Sequence, residues 1–259
     1  VDMDLEEYFD TVNHDKLMAL LAREVRDKRV LKLIRAYLNA GIMTNGILIK
    51  TDQGCPQGGP LSPLLSNIML DELDKELERR NHKFCRYADD AQILVKSQKA
   101  AKRVMVSMTG FIEKRLKLKV NRHKSALGRP WERKFLGFSF YCKQKEMRIR
   151  IHPASIARVK EKIKFITARS NAWDMAFRYW KLRQLVTGWV SYFGLADMQK
   201  KCRELDQWTR RRIRMCYWKQ LKKTKTRHDN LVKLGLDNFL AGIYANTRKG
   251  YWRIANSPI

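Results

Sequence analysis

Over the first five positions apolar and polar residues alternate: Val1, Met3 and Leu5 face one way, Asp2 and Asp4 the other. A period of two predicts a half-buried strand that presents carboxylates on its open face. The period then becomes helical. Leu17, Leu20, Leu21 and Val25 share one side of a predicted helix over 14–25. A second helix over 28–40 is ended by Gly41. Residues 42–50 predict a hairpin around Asn45-Gly46, and 51–60 a loop rich in Gly and Pro. Ser62-Pro63 supplies an N-cap and a first-turn proline for a helix reaching about Arg80. Two short strands over 83–95 flank a turn at Ala88-Asp89-Asp90. An amphipathic helix is predicted over 97–118, and strands over 133–140 and 146–151. In the last of these Met147, Ile149 and Ile151 alternate with Arg148, Arg150 and His152.

Beyond Pro153 the period is helical throughout. Ile156, Val159, Ile163 and Ile166 form one stripe, Leu182, Leu185, Trp189 and Tyr192 a second, and Met198, Cys202 and Leu205 begin a third. The expected fold class is α+β over 1–150, followed by an all-α block over 151–235 and a short segment over 236–259. The boundary is expected near 145–153.

Composition narrows the function classes. The 259 residues carry 54 Lys+Arg against 26 Asp+Glu, a formal net charge of +28. At 44% hydrophobic and 10% aromatic the chain is no disordered polycation. A charge this large calls for a polyanionic partner, nucleic acid or an anionic membrane. No run approaches the length of apolar residues that a membrane span needs. The start, Val1-Asp2-Met3-Asp4-Leu5-Glu6-Glu7, has no signal-peptide pattern. Five scattered cysteines without a CxxC indicate neither a disulfide framework nor a zinc site. A reduced, intracellular, nucleic-acid-facing protein is expected. The charge is uneven: residues 1–15 hold six acids and no Lys or Arg, whereas 148–235 hold 23 basic and six acidic residues. Arg210-Arg211-Arg212-Ile213-Arg214 is the densest run, and it reads either as a solvated face or as a track for phosphates. Interleaved aromatics such as Trp180, Trp208 and Trp218 read as bundle core or as stacking platforms.

Asp4 ends the first strand, and Asp89 and Asp90 sit at a hairpin tip 85 residues later. If the two strands pair, three carboxylates converge. They then repel one another unless divalent cations lie between them, and Mg²⁺ suits an oxygen ligand set that leaves positions open for phosphates. The alternative is a polar turn and an unrelated surface Asp.

The residues around these carboxylates carry a resemblance. Tyr87-Ala88-Asp89-Asp90 resembles the YxDD box of reverse transcriptases, and Asp4-Leu5-Glu6-Glu7-Tyr8-Phe9-Asp10 their first palm motif. Pro56-Gln57-Gly58-Gly59-Pro60-Leu61-Ser62-Pro63 resembles their Gln-Gly…Ser-Pro motif. Asn121-Arg122-His123-Lys124-Ser125 and Phe135-Leu136-Gly137-Phe138-Ser139-Phe140 resemble the next two. Five motifs stand in the family's order. The basic block, with Thr187-Gly188-Trp189-Val190-Ser191-Tyr192-Phe193, is similar to the thumb or maturase domain of group II intron-encoded reverse transcriptase–maturases.

That resemblance implies a palm, an antiparallel sheet packed on helices, followed by a three-helix thumb, and an RNA-directed DNA polymerase that also promotes intron splicing and mobility. It implies that Asp4, Asp89 and Asp90 hold two Mg²⁺ ions, with Asp90 least important as a ligand. Tyr87 would lie beneath the primer end, and Phe9 would exclude a 2′-hydroxyl and so select deoxynucleotides. Gln57 and Gly58 would contact nucleotide and template. Lys124 would protonate or neutralise the leaving pyrophosphate. Phe135, Leu136 and Gly137 would form the primer grip, and Arg210, Arg211, Arg212 and Arg214 would bind nucleic acid. The implied partners are group II intron RNA, an RNA template–DNA primer duplex, target DNA and dNTPs, without a membrane. The setting would be a ribonucleoprotein in a bacterial cytoplasm, an organellar origin remaining open.

Several features depart from the family pattern. The chain begins at the first palm carboxylate, so the fingers have no counterpart and the palm chemistry is expected to be encoded but not executable by this polypeptide alone. Glu6-Glu7 is more acidic than the family pattern. Residues 250–258 resemble the start of the family's DNA-binding region, and no Cys/His pattern of an endonuclease follows. The rival readings are a splicing cofactor with a vestigial palm and a retron, diversity-generating or CRISPR-linked reverse transcriptase.

Overall fold

The computed structural model describes residues 1–44, 47–49, 53–56 and 58–257. The chain forms two compact units, Val1–Arg129 and Pro130–Ile259. Among the described residues no helix is long and apolar enough to cross a membrane.

The first unit opens with β1 (Asp2–Met3) and a left-handed turn at Glu7 into the short α1 (Tyr8–Thr11). Two helices follow, α2 (His14–Glu24) and α3 (Lys28–Asn39). Each starts on a side chain that accepts an orphan helical N–H: Asn13 from Lys16, Asp27 from Arg29. β2 (Ile42–Thr44) and β3 (Ile47–Ile49) pair antiparallel, as the sequence pattern predicts; the Asn45-Gly46 turn itself lies outside the described residues. α4 (Ser62–Arg79) leads to β4 (Lys83–Tyr87) and β5 (Asp90–Leu94), and α5 (Gln98–Phe111) runs on into one wider π-helical turn over Ile112–Leu116. The sheet order is β1-β5-β4, antiparallel throughout. Met3, Leu5, Ala91 and Ile93 are buried with Leu65, Met69, Leu73 and Leu77 of α4 and Met108 of α5 in one core. This is the sheet-on-helix layering that the alternating and helical periods predict.

One expected cap is replaced. Ser62 does not cap α4: it is the first helical residue, and its buried hydroxyl donates to the Pro56 carbonyl at 2.5 Å. The hydroxyl is therefore used to tie the preceding Gly/Pro-rich loop to the helix rather than to satisfy a helical N–H.

The second unit begins with the hairpin β6 (Phe138–Lys143) and β7 (Glu146–Ile151). It continues through α6 (Pro153–Ile166), α7 (Met175–Phe193), α8 (Gln199–Gln220), α9 (Thr224–Lys233), α10 (Asn238–Ala245) and α11 (Tyr251–Ile254). Val159, Ile163, Ile166, Leu182 and Leu205 form one core, drawn from the three predicted stripes. Ile151, Phe193 and Ala196 form another, which fastens the hairpin to these helices. Tyr192, predicted in the second stripe, is instead exposed, and its neighbour Phe193 is buried.

The turn between α6 and α7 is organised by a charge that hydropathy could not place. Arg178 is 4% exposed. Its guanidinium donates to the carbonyls of Ile166 (2.6 Å), Ala168 (3.0 Å), Asn171 (2.9 Å) and Trp173 (3.1 Å). These carbonyls cannot all be met by helical N–H groups, and one planar five-donor group satisfies them together. Arg178→Met should therefore lower the stability of this unit by about 2 kcal/mol or more, whereas the exposed Arg210→Met should change it little. Urea unfolding of the two variants checks this.

Candidate functional site

β1 is held on both edges. On one it pairs with β5, Asp2 opposite Gln92 and Met3 opposite Ala91. On the other it meets residues 119–126: Glu6 N–H donates to the Lys119 carbonyl at 2.9 Å, Asn121 N–H to the Asp4 carbonyl at 2.9 Å, and Asp2 and Ala126 exchange a pair of backbone bonds. The Asp4 N–H donates to Ser125 Oγ at 3.0 Å. Asn121 Oδ1 accepts from the backbone N–H groups of His123 and Lys124, both at 3.1 Å. That local turn, which Asn side chains favour, brings Lys124 Nζ to 3.8 Å from Asp4 Oδ1.

The other two carboxylates come from the β4–β5 turn. Tyr87 pairs with Asp90, so Ala88 and Asp89 form a two-residue connection, with Ala88 left-handed at φ 54°. The strain of that conformation is countered by Arg86, which donates to the Ala88 carbonyl at 2.9 Å. Arg86 is itself fixed by a forked pair with Asp74 of α4, at 2.8 Å and 2.5 Å. Sequence reading missed Arg86, and it placed Asn121 and Ser125 in a motif without giving either a role. Asn121 carries a turn signal that could have been used, whereas the Arg86–Asp74 pair spans two elements and leaves no periodic trace.

The carboxylates share one electrostatic neighbourhood. Burial raises the Asp4 carboxyl above its ordinary value of 3.8, Lys124 partly offsets this, and the charges of Asp89 and Asp2 push it further up. Asp90 is raised by burial, then by Asp89, Asp4 and Asp2. Asp4 Oδ1 is buried and has no hydrogen-bond partner. Among the described residues, however, no group of three or more His, Cys, Asp or Glu side chains is gathered closely enough to hold a metal ion. The expected convergence is thus partial: the fields of the three carboxylates overlap, but the side chains do not form a closed ligand set among the described residues. The donor chemistry fits a hard divalent cation, because an all-oxygen set with a buried carboxylate oxygen that lacks a hydrogen bond is what such an ion satisfies.

The remaining expected residues divide. Phe9 is half-buried on α1, packed against the core and edge-on to Tyr8 at 5.4 Å. Its carbonyl accepts from Cys55 N–H at 2.6 Å, and a Cβ on the left-handed Gly54 would lie 3.0 Å from the Phe9 and Asp10 carbonyl oxygens, so the loop crosses α1 at the closest distance a backbone allows. Gly58 is exposed in this loop; Gln57 lies outside the described residues. Tyr87 is 63% exposed beside Asp90. In the second unit Phe135, Leu136 and Gly137 do not extend a strand. Leu136 and Gly137 are both left-handed, and Phe135 and Phe138 exchange backbone hydrogen bonds across them, as in a tight hairpin turn. Ser155 Oγ and His152 N–H donate to the Gly137 carbonyl, and Tyr192 donates to that of Leu136.

The arginine run on α8 is not one row facing phosphate. Arg210 pairs with Asp206 at 2.9 Å. Arg211 donates twice to the Trp252 carbonyl and stacks on the Trp252 ring at 3.9 Å. Arg212 donates to Thr167 Oγ1 at 2.6 Å, and burial holds its guanidinium below the usual arginine range. Arg214 is exposed. Helical spacing turns successive side chains by 100°, so four of five neighbours cannot share a face.

Because the folded state holds protons on Asp4 and Asp90 more tightly than the unfolded chain does, ionising them as pH rises above 3.8 costs stability. Without divalent cations, Asp4→Asn and Asp90→Asn should each stabilise the first unit at about pH 7 and leave it unchanged at about pH 3. Unfolding at the two pH values measures the difference.

Comparisons with known proteins agree with this layout. The family model for reverse transcriptase (RNA-dependent DNA polymerase) matches residues 1–140, and that for the group II intron maturase-specific domain matches residues 156–235. The chain is 33% identical to Protein YkfC of Escherichia coli (strain K12) over 161 residues, 49% of this chain and 42% of that protein. It is 42% identical to the group II intron-encoded protein LtrA of Lactococcus lactis subsp. cremoris over 86 residues, 33% of this chain and 14% of LtrA. It is 40% identical to the putative COX1/OXI3 intron 2 protein of Saccharomyces cerevisiae over 81 residues, 31% and 10% of the two chains. The chain thus spans less than half the length of these curated relatives. With more than half of its residues matched by the first model and the maturase-specific domain following in order, the chain belongs to the reverse transcriptase family, with the domain architecture of a group II intron-encoded reverse transcriptase–maturase.

Proposed function

We propose that this chain carries the palm and the thumb, or maturase domain, of a group II intron-encoded reverse transcriptase that extends a primer 3′-hydroxyl on an RNA template and binds intron RNA to promote splicing. In this reading residues 1–150 are the palm, 151–235 the thumb, and 236–259 the beginning of a region for target DNA. The observation that carries it is the pairing of β1 with β5, which joins Asp4 to the Ala88–Asp90 turn in one sheet, within the matched family region.

Asp4, Asp89 and Asp90 are the side chains that would hold Mg²⁺. The metal would supply activation of the 3′-hydroxyl and neutralisation of the leaving pyrophosphate. Lys124, positioned by the Asn121 turn and 70% exposed, is placed to offset pyrophosphate charge or give it a proton. Phe9 is held by the α1–loop crossing as a rigid ring that would fill the space of a ribose 2′-hydroxyl. Gln57 and Gly58 would contact nucleotide and template, and Tyr87 the primer end. The clamped turn over Phe135, Leu136 and Gly137 presents backbone to the primer as its grip. Arg210 and Arg214, the exposed members of the run, are the better candidates for nucleic-acid phosphate, since Arg211 serves the Trp252 carbonyl and Arg212 the Thr167 hydroxyl. The rival reading, an RNA-binding splicing cofactor without polymerase activity, is favoured by the lack of a closed metal-ligand group among the described residues.

Primer extension separates the two readings. In the full-length protein that contains this chain, an RNA template, a DNA primer, dNTPs and Mg²⁺ should give extension. Asp89→Ala should abolish it while RNA affinity stays nearly constant. No extension by the unsubstituted protein rejects the polymerase reading. Phe9→Val should raise incorporation of ribonucleotides relative to deoxynucleotides at least tenfold; an unchanged ratio would remove Phe9 from sugar selection. Mg²⁺ should raise the melting temperature of the unsubstituted protein and lose that effect in Asp4→Asn.

A further inference from the structure

Two cavities in the second unit share one wall, Trp218 of α8. The first, of about 410 Å³, is lined by Arg169, Lys219, Lys222, Arg227 and Lys249, with the Tyr251 ring beside them. No carboxylate lines it. Two of the five cations are anchored on backbone: Lys219 donates to the Arg169 carbonyl, and Arg227 donates to the Leu221 carbonyl at 2.7 Å while lying 5.0 Å from the Trp218 ring centre. Arg169 stacks over Tyr251 at 3.6 Å, and its Nε is buried without a hydrogen-bond acceptor. Among the described residues Lys222 and Lys249 have no carboxylate within ion-pair distance. Five like charges around one hollow repel, and an unsatisfied buried guanidinium N–H adds to the cost; one bound phosphate relieves both. The second cavity, of about 720 Å³, is mostly apolar, with Tyr217, Trp218, Tyr244, Leu221, Leu234 and Ile254 among its walls.

We propose that the two cavities together hold one unpaired nucleotide of a bound RNA, its phosphate among Arg169, Lys222 and Lys249 and its base against Trp218. The chemistry of the walls matches the two parts of that ligand: cations line one cavity and suit the phosphodiester, mostly apolar surface lines the other and suits the base, and Trp218 borders both. A base paired within a duplex exposes only its edges, so only a bulged or looped nucleotide reaches such a hollow. This site is distinct from the Asp4–Asp89 region, it takes in Arg214 of the arginine run of α8 as part of the wall of the second cavity, and it rests on the reading of the chain as an RNA-binding protein. It would select RNA by the position of an unpaired residue, which a uniform phosphate track cannot do.

The test is equilibrium binding, at fixed salt, of two RNA duplexes that differ by one bulged nucleotide, 2-aminopurine. The bulged duplex should bind about tenfold tighter, in keeping with the stacking of a base on an aromatic side chain, and its fluorescence should fall on binding. Trp218→Leu, which keeps apolar volume, should erase that preference and the quenching while paired-duplex affinity is unchanged; Trp218→Phe, which keeps a ring, should retain both. Lys222→Ala and Lys249→Ala, at exposed positions, should each reduce the salt slope for the bulged duplex by about one. A preference that survives Trp218→Leu overturns the proposal, as does equal binding of both duplexes by the unsubstituted protein. In that last case firm binding of the paired duplex leaves the RNA-binding reading standing, whereas no binding of either duplex rejects that reading itself.

Discussion

Asp4 can share a field with Asp89 and Asp90 only because β1, two residues long, is gripped along both edges. A strand so short has little stability of its own. β5 fixes its register from one side, and residues 119–126 fix it from the other. The first grip sets Asp4 beside the Ala88–Asp90 turn, and the second sets Lys124 beside Asp4. A slip of one residue would turn Asp2 and Asp4 into the core and Met3 and Leu5 out of it. The burial of Met3 and Leu5 is therefore what keeps the carboxylates where they are.

Charge is used differently in the two units. In the first, the acids near β1 raise one another's proton affinity, and Arg86 is spent on bracing the strained turn that carries two of them. In the second, a large part of the positive charge is structural. Arg178 and Arg211 satisfy backbone carbonyls, and Arg212 donates to the Thr167 hydroxyl. Net charge alone thus overstates the surface available to a polyanion. Around Trp218, Lys219 and Arg227 serve backbone carbonyls in the same way, whereas Arg169 keeps a buried Nε without a hydrogen-bond partner.

Much of the fold was legible. The alternation of Val1, Met3 and Leu5, the stripes of α2 and α6, and the hairpin over 83–95 each carry a period that burial enforces, so the elements follow from hydropathy. The motif order around Asp4, Asp89 and Asp90 named the family. Less was legible where a side chain bonds outside its own element. Ser62 was spent on Pro56, Tyr192 on Leu136, and the strand expected from residue 133 became a turn because Leu136 and Gly137 are left-handed against α6 and α7.

The sequence by itself determined the element types, the two-part division of charge and the family. Local period and residue type act within a few positions, and they leave that record in the chain. Tertiary structure alone decided which arginines serve the protein's own oxygens, how far the three carboxylates approach, and that two hollows meet at Trp218. Those outcomes depend on which carbonyl, carboxylate or ring a side chain meets from a segment tens of residues away. A hydrogen bond or ion pair of that kind has a distance and a direction, and neither is written in the order of residues along one chain.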